Sequence, residues 1–240
     1  MSLDQAYFSS PESSATLPRA AVPRAPSRSL QCVATIGLVI IIMGGFGAVG
    51  MWNAYRAASG MRFSSLDLFS WDNAIPRVSA WAWIYILFYP ALLLPFAFSQ
   101  FRQNLEIFLR LCVGYLLQVL VCLPLFIMPI RIWHTEVTGD SASDWLLRLI
   151  YSIDSGFNVF PSMHVTFMSF LACFGTRLGG RKAGLAMWTF CGLIMASTLF
   201  TKQHYILDLP AGFALGLATY FLAFRSNYLP FQNRTGPVSQ

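Results

Sequence analysis

The chain has 240 residues, 56% of them hydrophobic and only 11% charged, with a mean hydropathy of +0.57. A soluble domain carries roughly twice that charged fraction on its surface, so a water-facing globular protein is excluded and an integral membrane protein is implied. The net charge of +6 arises from 16 basic and 10 acidic residues. The basic residues are scattered between apolar runs, which excludes a nucleic-acid stripe and leaves membrane orientation as their role.

Residues 1–30 are rich in Ser, Pro and Ala and hold no apolar run, so they are expected as a disordered cytoplasmic tail and not as a signal peptide. Six apolar stretches follow, at about residues 33–52, 80–98, 107–130, 162–175, 183–200 and 206–224. Most approach the ~20 residues that cross ~30 Å of hydrocarbon; the fourth is short. The expected fold is therefore all-α, a polytopic membrane protein built as a six-transmembrane-helix bundle over residues 31–225, with a short C-terminal tail at 226–240. With the N-terminus inside, the inner segments hold Arg19, Arg24, Arg28, Arg102, Arg110, Arg177, Arg181, Lys182, Arg225 and Arg234. The outer loops hold Arg56, Arg62, Arg77, Arg131, Arg148 and Lys202. That balance of 10 to 6 places both termini in the cytoplasm.

The unusual chemistry then gathers outside. Pro124 and Pro129 mark the end of the third stretch, and a loop of about thirty residues runs from there to Pro161. Within it, Ser141 to Asp144 reads as a helix start, with Trp145, Leu146, Leu149 and Ile150 as the apolar face of a short interfacial helix. The loop containing Phe63 to Trp71 is a second candidate for the membrane surface. All three histidines (His134, His164, His204) lie in or beside outer loops. The five cysteines lack CxxC spacing and read as small buried thiols.

Three features carry chemistry. Phe160-Pro161-Ser162-Met163-His164 opens the fourth span: Pro suits a first helical turn and Ser a cap, so a helix N-terminus with its phosphate-attracting N–H groups is expected there, His164 about one turn inside. The bland reading is a capped helix with a satisfied His. Second, His204 and Asp208 at i, i+4 share a helical face, where the carboxylate fixes the tautomer of the imidazole; Pro210 threatens to kink that helix. The bland reading is a structural pair at the membrane boundary, but ionisable groups at that depth are costly and usually functional. Third, Arg131 stands at the outer end of the third stretch, where a guanidinium clamps phosphate or simply snorkels. Asp140, Asp144 and Asp154 make no calcium loop, and neither HExxH nor a Cys/His cluster occurs, so no metal is expected.

Pro161-Ser162-Met163-His164 opening one span, with His204 and Asp208 opening another two spans later, resembles the type 2 phosphatidic acid phosphatase superfamily. The likeness is closest to the branch containing inositol phosphorylceramide synthases and covers roughly residues 67–224. It implies a six-helix bundle with no metal and no cofactor. It also implies His204 as a nucleophile oriented by Asp208, His164 as the acid for the leaving group, and Ser162 with backbone N–H groups as phosphate ligands. The family's first motif is incomplete: Pro124 stands where its Lys would be, and Arg131 is followed by Ile132. Met163 replaces a frequent Gly, and Thr198 follows Ser197 in place of Arg, leaving Lys202 as a substitute cation. The expected partners are a membrane lipid substrate and, for a transferase, an alcohol head-group acceptor. The site would face the periplasm of a bacterial inner membrane or the lumen of a Golgi or ER membrane.

The rival classes are a transporter and a packing protein. A transporter is disfavoured because no span carries a mid-membrane charge and Gln118 is the only strongly polar group there. The packing protein would use Gly212 and Gly216 at GxxxG spacing, a feature equally compatible with an enzyme. An intramembrane protease using Ser162 lacks a Gly-flanked nucleophile motif.

Overall fold

Long apolar runs, interrupted only where Pro, Gly or polar residues cluster, set the helices. The computed structural model describes residues 28–67, 70–97 and 105–225. In chain order these form α1 (Arg28–Ala58), α2 (Trp71–Ala74), a 3-10 turn (Ser79–Trp81), α3 (Ala82–Ile86), α4 (Phe88–Ala97), α5 (Leu105–Leu125), α6 (Ala142–Ile153), α7 (Met163–Phe200) and α8 (Asp208–Arg225). No strand occurs among the described residues, and an isolated bridge pairs Ser64 with Ile130. Among the described residues, four helical stretches are long and apolar enough to cross a membrane: Ser29–Ala58, Ser79–Phe96, Glu106–Leu125 and Met163–Phe200; Asp208–Phe224 is a shorter apolar helix.

Several boundaries differ from expectation for local reasons. The expected N-terminal tail lies outside the described residues except for residues 28–30, which are helical; residues 226–240 lie outside as well. α1 continues past residue 52 because nothing breaks it until Gly60, whose φ of 90° suits the left-handed turn that ends a helix. The second span is interrupted at Leu87, between α3 and α4, where Pro90 withholds the N–H that would bond one turn back. α5 stops at Leu125, short of the expected residue 130. Beyond it, Asn53 donates to the Phe126 carbonyl at 2.7 Å and Arg56 to the Ile127 carbonyl at 2.5 Å, so α1 side chains satisfy the free carbonyls. α6 begins at the expected place, with Ser141 and Asp144 capping each other reciprocally. Its buried face is Leu146, Leu147 and Ile150, however, while Trp145 and Leu149 are exposed.

α7 positions the site. Unbroken, its 38 residues would hold its ends about 55 Å apart at 1.5 Å per residue. Instead Gly180 (φ 69°, ψ −167°) leaves the helical region and the chain folds back on itself. Small residues let the two arms touch: a Cβ on Gly184 would stand 2.6 Å from Thr176 Oγ1, and one on Gly175 2.8 Å from Met187 Cγ. The start and end of α7 therefore meet at one end of the bundle.

α8 packs along the first arm through the glycines spaced four apart. A Cβ on Gly212 would stand 2.5 Å from the Ser162 carbonyl oxygen, and one on Gly216 would overlap Ser169 Oγ and the Thr166 carbonyl oxygen. Replacing Gly216 by Ala is expected to cost about 1–3 kcal/mol through overpacking. The check is a lower thermal midpoint in detergent.

Candidate active site

Five segments converge at the end where α7 returns: the starts of α7 and α8, the loop 201–207, the segment 154–161 and the loop 130–137. Ser162 is the N-cap of α7, its Oγ accepting from the Val165 N–H at 3.4 Å, and its own N–H donates to the Asp208 carbonyl at 3.2 Å. That bond ties the first turn of α7 to the first turn of α8. Pro161 lies just outside the helix, and His164 is its second residue.

The loop 201–207 is folded by its own backbone: the N–H groups of Gln203 and His204 both reach the Thr198 carbonyl, at 2.9 and 3.3 Å. α8 begins only at Asp208, so His204 lies outside the helix and the pair is not an i, i+4 pair on one helical face. Pro210 falls in the first turn, where its missing N–H costs nothing. Contact is made by the loop wrapping back: the Asp208 carboxylate accepts from the Tyr205 N–H at 2.7 Å and faces His204 Nδ1 at 3.2 Å.

His204 Nδ1 also lies 2.9 Å from the Val159 carbonyl oxygen. Both its neighbours only accept, so the network assigns the proton to Nδ1 and leaves a lone pair on Nε2. That nitrogen is 3.3 Å from His164 Nδ1. Asp208, His204 and His164 thus form one hydrogen-bonded chain, with every member at least 96% buried. The His164 ring sits among aromatic rings of the second span, 4.5 Å from Tyr85, 4.3 Å from Phe88 and 6.5 Å from Tyr89 between centroids. Its Nε2 and Asp208 Oδ1 have no hydrogen-bond partner in the protein.

Lys202 adopts a left-handed backbone (φ 55°), and its ammonium donates to the Asp72 carbonyl at 2.5 Å. Burial lowers its pKa, opposed by the carboxylates of Asp72 and Asp67. Asp72 is raised by burial, against a 2.7 Å hydrogen bond from the Ile206 N–H. Lys202 and His204 line a cavity of about 340 Å³ with Asp67, Asp72, Asn73 and Trp133. Arg131 is not among the residues lining it. Its guanidinium carbon lies 4.3 Å from the centre of the Phe157 ring, and its carbonyl accepts from the Tyr205 hydroxyl at 2.9 Å.

Other residues at this end were not anticipated. His134 stacks on Tyr151 at 3.8 Å with the rings 3° apart, and its Nε2 is buried and unpartnered. Burial first, then Arg131 and His204, hold its pKa down at about 4, so it is neutral at ordinary pH. Asp154, read in the sequence only as a failed calcium ligand, is raised by burial against the Gly156 N–H and the nearby His204. Tyr85, Phe88 and Tyr89 had no signal beyond aromatic content. Only His134 offered a clue, as the third histidine on the same side.

The class defined by this arrangement is an all-helical membrane bundle carrying two imidazoles and a carboxylate at one mouth. The sequence profile of the PAP2 superfamily matches residues 64–222, from the loop after α1 through α8, and the chain belongs to that superfamily. Membership supports a phosphatase-type function on lipid phosphates and, with the apolar helices, an integral membrane protein. No curated protein and no solved structure matches the chain.

Proposed function

We propose that this protein is a membrane-embedded lipid phosphate phosphatase or phosphotransferase that works through a phosphohistidine on His204. The observation that carries the reading is the buried chain Asp208–His204–His164, in which one imidazole nitrogen is held by acceptors and the other is left with a lone pair. The entering phosphate takes the place of the hydrogen bond between the two imidazoles. His204 Nε2 attacks phosphorus, the bond to the lipid oxygen breaks, and His164, protonated against the negative phosphate, gives that oxygen its proton. Ser162, the first N–H groups of α7, Lys202 and Arg131 are the proposed donors to the remaining oxygens. In the second half, His164 takes the proton from the acceptor oxygen as it attacks the phosphohistidine, and His204 is restored.

A head-group transferase of the inositol phosphorylceramide synthase type is the second reading, and the room beside His204 is compatible with it. The cavity beside His204 has a volume of about 340 Å³, with Asp67, Asp72, Asn73 and Lys202 set among apolar side chains. An alcohol acceptor fits such a space. The purified protein, incubated with phospholipids, prenyl pyrophosphates and ceramide-plus-donor mixtures, is expected to release phosphate or move a head group, with activity surviving EDTA. Failure on every phosphate ester would overturn the reading.

The proposed topology has six crossings, with the arms of α7 on either side of Gly180 counted separately and α8 as the sixth. Both termini are then cytoplasmic, and the site faces outward. Cysteine labelling at position 140 is expected from the outside; labelling only from the cytoplasm would reverse the orientation.

A further inference from the structure

We propose that Gln203 is a substrate-contacting residue whose side-chain amide donates to a non-bridging oxygen of the phosphoryl group held at His204; this rests on the phosphohistidine reading above. Gln203 is only 2% exposed, yet neither its Nε2 nor its Oε1 has a hydrogen-bond partner in the protein. A buried amide without partners is costly, and natural proteins retain few of them.

The polar groups nearest in the chain are already committed. The Thr198 carbonyl takes two backbone N–H groups, the Thr201 carbonyl takes the Tyr151 hydroxyl, and Thr201 Oγ1 donates to the Ser197 carbonyl. The ammonium of Lys202 points to the Asp72 carbonyl. The hydrogen bonds given for this loop are made without the Gln203 side chain, so its backbone does not need the amide.

A phosphoryl group does. Transfer through a loose transition state spreads charge over three equatorial oxygens, and the protein's contribution is donors aimed at them. Gln203 is covalently next to His204, and its buried amide lies outside the lining of the cavity that His204 and Lys202 share. Other orphaned polar atoms belong to the same hydrogen-bonded chain: Asp208 Oδ1 and His164 Nε2. A neutral amide adds a donor there without burying another charge.

Gln118 supplies the comparison. It is also fully buried with both amide atoms unpartnered, but it lies in the middle of α5. Removing either amide relieves the same burial cost; only Gln203 is expected to matter for chemistry.

The test compares Gln203→Leu, Gln203→Glu and Gln118→Leu with the parent protein, reading kcat/KM on a lipid phosphate, inhibition by orthovanadate as a phosphoryl mimic, and thermal midpoint. Gln203→Leu is expected to lose about 10²-fold in kcat/KM, as for a lost oxyanion donor, and to weaken vanadate inhibition, with the midpoint unchanged or raised. Gln203→Glu, nearly the same shape, is expected to lose more because a carboxylate repels the anion. Gln118→Leu is expected to keep its kcat/KM, its midpoint likewise unchanged or raised.

Unchanged kcat/KM and vanadate inhibition in Gln203→Leu would overturn the proposal, and so would a loss of activity matched by a fall in midpoint, which marks a structural amide. Should Gln203→Leu fail to fold, Gln203→Glu decides: full vanadate sensitivity in that variant would overturn the proposal. The broader reading fails separately, if His204→Ala retains vanadate-sensitive turnover.

Discussion

Replacing His204 by Ala is expected to lower turnover of a lipid phosphate by at least about four orders of magnitude, the scale of losing a nucleophile in a cooperating set. The expectation follows from how completely the structure commits this ring. Its Nδ1 faces the Val159 carbonyl at 2.9 Å and the Asp208 carboxylate at 3.2 Å, so rotation and tautomer are both settled and Nε2 alone remains to attack. Without the imidazole, water would have to reach phosphorus directly, and the negative phosphoryl oxygens repel it. The backbone around position 204 should survive, because the loop is held by N–H groups on the Thr198 carbonyl and by the Tyr205 N–H on Asp208. An unchanged melting transition beside abolished turnover is the signature to measure.

His164 should behave differently, and the difference depends on the leaving group. With His164→Ala, alkyl leaving groups such as a lipid alcohol are expected to lose about 10²–10⁴-fold in kcat, because an alkoxide must depart without a proton. An aryl phosphate should lose less than about tenfold, since a phenolate departs unaided. The cage of Tyr85, Phe88 and Tyr89 would lose its occupant in this variant. His164→Asn, which keeps a polar side chain in the cage, is therefore the second arm. Equal losses on alkyl and aryl substrates in both variants would contradict a proton-donating role.

The helices were legible because each is a long apolar run, and Gly180 with its neighbours Arg181 and Lys182 marks the gap between two of them. Their ends were less legible. α5 ends early because side chains from α1, more than sixty residues away, satisfy the carbonyls beyond it, and no local pattern announces Asn53 or Arg56 in that role. The apolar face of α6 divides: Leu146 and Ile150, with Leu147, pack on Ala82, Tyr85 and Val137, while Trp145 and Leu149 stay exposed, as residues turned to a membrane surface would.

At the site, residues carried by short motifs could be read directly: Ser162 with His164, and His204 with Asp208. The geometry joining the last two could not, because the helix expected to hold both starts at Asp208 and a loop supplies the contact. The return of the chain at Gly180 brings the loop with His204 back to the start of α7, and His134, Asp154 and the aromatic cage of the second span join it through contacts between segments far apart in the chain. Gln203 sat beside a candidate residue, yet its importance rests on the absence of partners, which only a folded structure displays.

In the proposed mechanism the phosphoryl group rests on His204 between the two half-reactions. Rapid-quench labelling with a radiolabelled phosphate donor, followed by peptide mapping of the trapped adduct, addresses it directly. An acid-labile, base-stable label is expected on the peptide containing His204, absent from His204→Ala. A label on His164 would reverse the two roles, and full turnover by His204→Ala with no adduct at all would contradict the mechanism.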